Sequence, residues 1–143
     1  MRHYEVTFVV SPVLSSDEVK ATAESIQSEI KGFGGQIVAV DEIGLRQLAY
    51  SINKRSTGVY YCIEFGTVAA DWLAKFELNM KRNERLLRFL TVKLDKYGIK
   101  YNDDKRNGRI GSRKKKTTGA EDQSVAPAAE EVVPAPEVVD LDA

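Results

Sequence analysis

At 143 residues, of which 43% are hydrophobic, the chain can bury one ordinary core, and no run approaches the ~18 apolar residues of a membrane span. One cysteine excludes an internal disulfide or a CxxC metal pair, and one histidine leaves no cluster of metal-ligating spacing, so redox, zinc and most acid–base chemistry lack their parts. The formal net charge of zero hides opposed segments: residues 105–116 hold seven bases and no acids, residues 121–143 seven acids and no bases, and residues 1–104 fourteen of each.

Residues 2–10 alternate, with Tyr4, Val6, Phe8 and Val10 on one side and His3, Glu5 and Thr7 on the other. That is the period of a strand with one face on a core. No apolar signal-peptide core precedes it, and a cytoplasmic protein is expected. Ser11-Pro12 breaks the strand, and Ser15 followed by Glu18 offers a capping box. The helix that starts there carries Val19, Ala23, Ile26, Ile30 and Phe33 in one stripe and stops at Gly34-Gly35.

A second strand begins at Gln36 and, bent near Gly44, is expected to reach Ile52. Simple alternation would turn Leu45, Gln47, Ala49 and Ser51 one way and Arg46, Leu48, Tyr50 and Ile52 the other, so neither face is cleanly polar. A strand buried on both faces and a surface covered by another molecule both give this pattern. Residues 53–58 read as a mobile hairpin loop, and residues 59–65 as a third strand with Cys62 as a packed thiol. Ala69, Trp72, Leu73, Phe76 and Met80 mark a second helix, ended at Asn83-Glu84. Residues 86–94 form a fourth strand, apolar on both sides but for Arg88, so pattern does not say which side meets the helices.

The order β-α-β-β-α-β predicts an α+β, ferredoxin-like sandwich: a four-stranded antiparallel sheet, strand order 4-1-3-2, with two helices on one face. The second strand is then an edge, open to a partner, and no helix is expected on the opposite face. From residue 102 periodicity disappears, so residues 1–101 are expected to be the folded domain and 102–143 a disordered tail, basic and then acidic.

Catalytic parts are missing. The glycines at 32, 34 and 35 follow a helix instead of opening one, and the adjacent Asp41 and Glu42 would point to opposite faces of a strand. No catalytic residue, metal ligand or cofactor is expected, nor a small-molecule substrate or membrane contact. What remains is cationic surface near aromatics: Arg46, Lys54, Arg55, Arg82, Arg85, Arg88 and Lys93 with Tyr50 and Tyr60, in a chain whose residues 75–100 carry eight bases against three acids. Such residues neutralise phosphates and stack on bases.

The opening Met1-Arg2-His3-Tyr4-Glu5, the block GLRQLAYSINK at residues 44–54, Glu77-Leu78-Asn79, and Asn83 leading to Arg88 resemble, in this order and spacing, the sixth protein of the bacterial small ribosomal subunit. The resemblance covers about residues 1–95. It implies the ferredoxin-like fold, structural binding to the central domain of 16S ribosomal RNA, and a heterodimer with the eighteenth protein of that subunit; it implies no enzyme. By analogy Arg2, Arg46 and Arg88 are candidate RNA contacts, joined by Arg82, Arg85 and Lys93 from the basic surface. Leu45, Leu48, Tyr50 and Ile52 are the candidate protein contacts. The family usually has proline where this chain has Ser51, and the tail is not a fixed family feature. Two other classes compete. An RNA-recognition motif shares the topology but wants a basic residue before glycine and a small one where Tyr61 stands. A ferredoxin-like ligand-binding regulator or enzyme would need a phosphate loop or an acid–base pair.

Overall fold

The computed structural model describes residues 1–110. Its elements are β1 (Arg2–Val10), α1 (Ser16–Gly32), β2 (Gln36–Ile52), β3 (Arg55–Thr67), α2 (Leu73–Arg82), β4 (Leu86–Leu94) and α3 (Lys96–Arg106). The strands form one sheet in the order β2-β3-β1-β4, antiparallel at each pairing.

Alternation in β1 and β3 sets the two faces. Tyr4, Val6, Phe8 and Val10, with Tyr61, Ile63 and Phe65, are buried under Val19, Ala23, Ile26 and Ile30 of α1 and Phe76 and Met80 of α2. Rings aligned across the two strands stack, Phe8 on Tyr61 at 5.7 Å and Tyr4 on Phe65 at 5.8 Å between centroids. The Ser15–Glu18 capping box forms as the sequence predicts: Glu18 N donates to Ser15 Oγ at 3.3 Å and Ser15 N to Glu18 Oε2 at 2.9 Å. The Ser15 N–H and the Ser15 hydroxyl, both donating to Glu18 Oε2, and the charge of Arg85 hold the exposed Glu18 carboxyl below its ordinary pKa. α1 ends as Gly34 turns to φ +86°.

Strand β4 shows which way its two apolar sides face. Leu86 is buried and Phe89, opposite Phe8, packs on the core, whereas Arg88, Leu90 and Val92 oppose Val9, Thr7 and Glu5 on the other face.

Three expectations need correction. The hairpin loop is not residues 53–58 but a two-residue turn, Asn53 and Lys54, with φ of 49° and 61°; β3 starts at Arg55. Second, the face away from α1 and α2 is not free of helices. Asp95 caps α3 by accepting from Gly98 N at 2.7 Å, and Asn102 and Arg106 of that helix bond to Glu5 and Glu64 on that face. Third, the boundary expected between residues 101 and 102 falls inside α3. A helix that buries none of its residues leaves no apolar stripe to read. The rest of the expected tail, residues 111–143, lies outside the described residues.

Candidate protein and nucleic-acid interface

The path of β2 builds the site. Its register against β3 slips at Val38 and again at Ile43, where Gly44 adopts φ +88°. The largest slip is near the turn: Gln47 pairs with Thr57 and Ile52 with Arg55, so residues 48–51 stand against Ser56 alone. The surplus backbone bulges. It reaches over the open face as far as β4, where the Arg88 guanidinium donates to the Tyr50 hydroxyl.

The close approach of the hairpin explains Gly58. A Cβ there would meet Val9 Cγ1 at 2.3 Å, so only glycine lets β3 pass over that side chain. Val9 is thereby 6% exposed although it lies on the face away from the core helices.

Between the bulge and the sheet lies a groove of about 370 Å³. Leu48, Ala49, Tyr50 and Ile52 form one side, Thr7, Val9 and Tyr60 the floor, and Arg88 with Leu90 the far side. Leu48, Tyr50 and Ile52, expected on one side of the strand, line the groove together. Ala49, expected on the opposite side, lines it as well, because the bulge breaks the two-residue period there. Tyr50 is 58% exposed and Leu90 64% exposed, an apolar surface with a cation at its rim.

The other candidates separate by position. Leu45 pairs with Val59, whose side chain faces the core, and stands exposed away from the groove. Arg46 pairs with Gly58 and faces a second, wider depression bounded by Ile43 of β2 and Tyr101 of α3. Arg82 and Arg85 sit where α2 ends and β4 begins, the Arg85 carbonyl accepting from Ser11 N at 2.9 Å. Lys93 opposes Tyr4 and so shares the core helices' side, at the far end of β4 from Arg88. Arg2, paired with Thr67, is at that same far end. The structure thus brings Arg88 together with Leu48, Tyr50 and Ile52, puts Arg46 beside them, and leaves Arg2 and Lys93 apart.

Sequence reasoning missed Val9 and Leu90 in the groove. Val9 carried a signal: it is the apolar member of the otherwise polar set His3, Glu5, Thr7. Asn102 and Arg106 gave none, since both fell in a segment without periodicity.

Nothing at the site favours covalent chemistry. Burial pushes the half-buried Cys62 thiol up to about 11, so it is protonated and a poor nucleophile at neutral pH. No group of metal-binding side chains occurs among the described residues, and no helix among them is long and apolar enough to cross a membrane. The central strands also lack a stacking platform of the RNA-recognition-motif kind. Their open face carries Glu5 and Glu64 under α3, and carboxylates repel a phosphate backbone.

A family model described as ribosomal protein S6 matches residues 3–93. The chain belongs to the ribosomal protein S6 family. It is 41% identical over 107 residues to small ribosomal subunit protein bS6 of Parabacteroides distasonis, spanning 75% of this chain and 90% of that one. With bS6 of Flavobacterium psychrophilum the identity is 39% over 106 residues, 74% of this chain and 93% of the relative. Among solved structures, the 30S ribosomal protein S6 of Thermotoga maritima superposes with a TM-score of 0.63 at 24% identity, covering 76% of this chain and 97% of the other, and shares the fold. As an S6 family member the chain is a structural protein of the small ribosomal subunit in the cytoplasm and not an enzyme. The S6 match ends at residue 93, short of α3.

Proposed function

We propose that this S6 family protein binds the central domain of 16S ribosomal RNA as a heterodimer with the eighteenth protein of the small subunit, which seats on the groove beneath residues 48–52. The observation that carries the reading is the groove itself: an apolar surface with Tyr50 and Leu90 exposed and Leu48 and Ile52 half-buried, beside an unpaired strand edge, is what an obligate partner covers. Leu45, on the outer side of the same edge strand, extends the protein contact.

RNA contact falls to the cations at the rim and beyond it. Arg46 and Arg88 flank the docking groove, Arg82 and Arg85 continue from it around the start of β4, and Arg2 and Lys93 form a second cluster at the other end of the sheet. Arg88 and Lys93 are separated by roughly 16 Å of strand, at ~3.3 Å per residue, enough to engage phosphates on separate turns of backbone. With fourteen charges of each sign in residues 1–104, long-range attraction to RNA is weak, and the partner supplies the remaining cations.

Titrating a fragment of the 16S central domain with this protein alone, and again with the eighteenth protein present, tests the reading. Poor binding alone and tight binding by the pair is the expected result. Equal affinity in the two titrations would contradict it.

A further inference from the structure

On the open face Glu5 and Glu64 are directly opposed across β1 and β3. Like charges in that position repel, and Glu64 is only 4% exposed, so water does not relieve the repulsion. Helix α3 does. Asn102 Nδ2 donates to Glu5 Oε2 at 3.1 Å and to Glu64 Oε2 at 3.2 Å, and Arg106 Nη1 donates to Glu64 Oε2 at 2.7 Å.

These polar contacts hold a helix that has little apolar attachment. No residue of α3 is buried, and its Tyr97 and Tyr101 are 68% and 53% exposed. Arg106 also serves Glu64 incompletely. Its Nη2 is bonded to Asp103 on its own helix, and Glu64 Oε1, buried, has no hydrogen-bond partner among the described residues, with His3 Nδ1 3.7 Å away. A guanidinium that gave both arms of its fork to carboxylates of this pair would add a second charge-assisted bond to the single one that Arg106 makes there. A polar cleft of about 150 Å³ adjoins the contact, with Ala39 and Asp41 of edge strand β2 as its outer wall.

We propose that the Glu5–Glu64 pair is a guanidinium-binding site which Arg106 fills in the free chain, and that α3 is a strap displaced when an arginine side chain of a bound protein takes that place. The occupant is a protein arginine because a carboxylate floor repels phosphate, and because Arg106 itself already demonstrates the fit. The proposal rests on the open face being a protein-docking surface and gives it a second contact, separate from the groove under residues 48–52. A strap that is closed most of the time lowers the apparent affinity of the incoming arginine by the fraction of molecules that are open.

The test uses the full chain and two blocked dipeptides, acetyl-Arg-Arg-amide and acetyl-Lys-Lys-amide, with hydrogen exchange of residues 96–106 as one readout and dipeptide affinity as the other. The arginine dipeptide should accelerate exchange in α3 while leaving β1 and β3 protected, and the lysine dipeptide should not. Arg106→Ala, by removing the internal competitor, should tighten arginine-dipeptide binding by about tenfold or more, and Glu64→Gln should abolish it. Arg106→Lys, which keeps the charge but not the fork, should behave as Arg106→Ala and decides the matter if the alanine variant melts abnormally. Unchanged affinity in both Arg106 variants, or equal response to the two dipeptides, would overturn the proposal. No ribosomal partner takes part. Success here with no binding of the eighteenth protein would therefore remove the earlier reading and leave this one standing.

Discussion

On the helix side of the sheet, Phe8, Phe65 and Phe76 are wholly closed to solvent and Met80 is 2% exposed. On the other side Tyr50 and Leu90 stay more than half exposed, an arginine hydrogen-bonds to a tyrosine hydroxyl at the rim of the groove, and α3 is held by an asparagine and an arginine. The same four strands supply both surfaces, one side chain up and the next down. The helix side is closed by the chain's own helices and carries the stability. The open side keeps apolar surface that the described residues do not cover, so its free energy is available to binding.

Substitutions should respect that division. Phe65→Ala empties the centre of the closed side, where the ring touches Tyr4, Trp72 and Phe76, and should cost about 3–5 kcal/mol of unfolding free energy, measured by denaturant titration with Trp72 fluorescence. A loss under about 1 kcal/mol would mean that the core is not concentrated there.

Gly58→Ala acts at the seam between the two sides. The added methyl would lie 2.3 Å from Val9 Cγ1, so the hairpin must lift off β1, at a cost of about 1–3 kcal/mol. The distinguishing sign is faster hydrogen exchange in residues 48–58 than in β1 and α1. Uniform loss of protection would show that hairpin and core melt as one unit.

Cys62 lies on the open side, half-buried, and should show the smallest effect, visible as reactivity. Because its folded-state pKa is raised to about 11 from 9.0, the stability linked to the protonated thiol is complete below pH 9 and is lost as pH rises from 9 through 11. The rate of alkylation of the native protein should climb through that window. A plateau already reached at pH 9 would place the thiol in water.

Much of this was legible in the sequence because the closed side obeys simple periods. Tyr4, Val6, Phe8 and Val10 keep the strand period, Val19, Ala23, Ile26 and Ile30 keep the helical one, and Ser15 with Glu18 marked the start of α1 to the residue. The edge position of β2 and its bend at Gly44 were also readable. The open side was less so, for two physical reasons. A bulge of residues 48–51 against Ser56 destroys the alternation that would assign Leu48 and Ala49 to opposite faces, while leaving composition unchanged. A helix held by Asn102 and Arg106 needs no apolar repeat, so α3 looked like the beginning of a tail. Arg2, grouped with Arg88 by the resemblance, and Lys93, grouped with it by charge, were separated from it by register, which neither contains.

The division between a closed side that folds and an open side that binds is tested most directly by Leu48→Lys. Leu48 is half-buried in the groove wall and belongs to no part of the core cluster. Calorimetric titration of the variant with the eighteenth small-subunit protein, beside a thermal melt of the variant alone, gives both answers. The account predicts binding weakened by tenfold or more, about 1.4 kcal/mol, with the melt of the isolated protein unchanged. Undiminished binding, or loss of a cooperative melt, would contradict it.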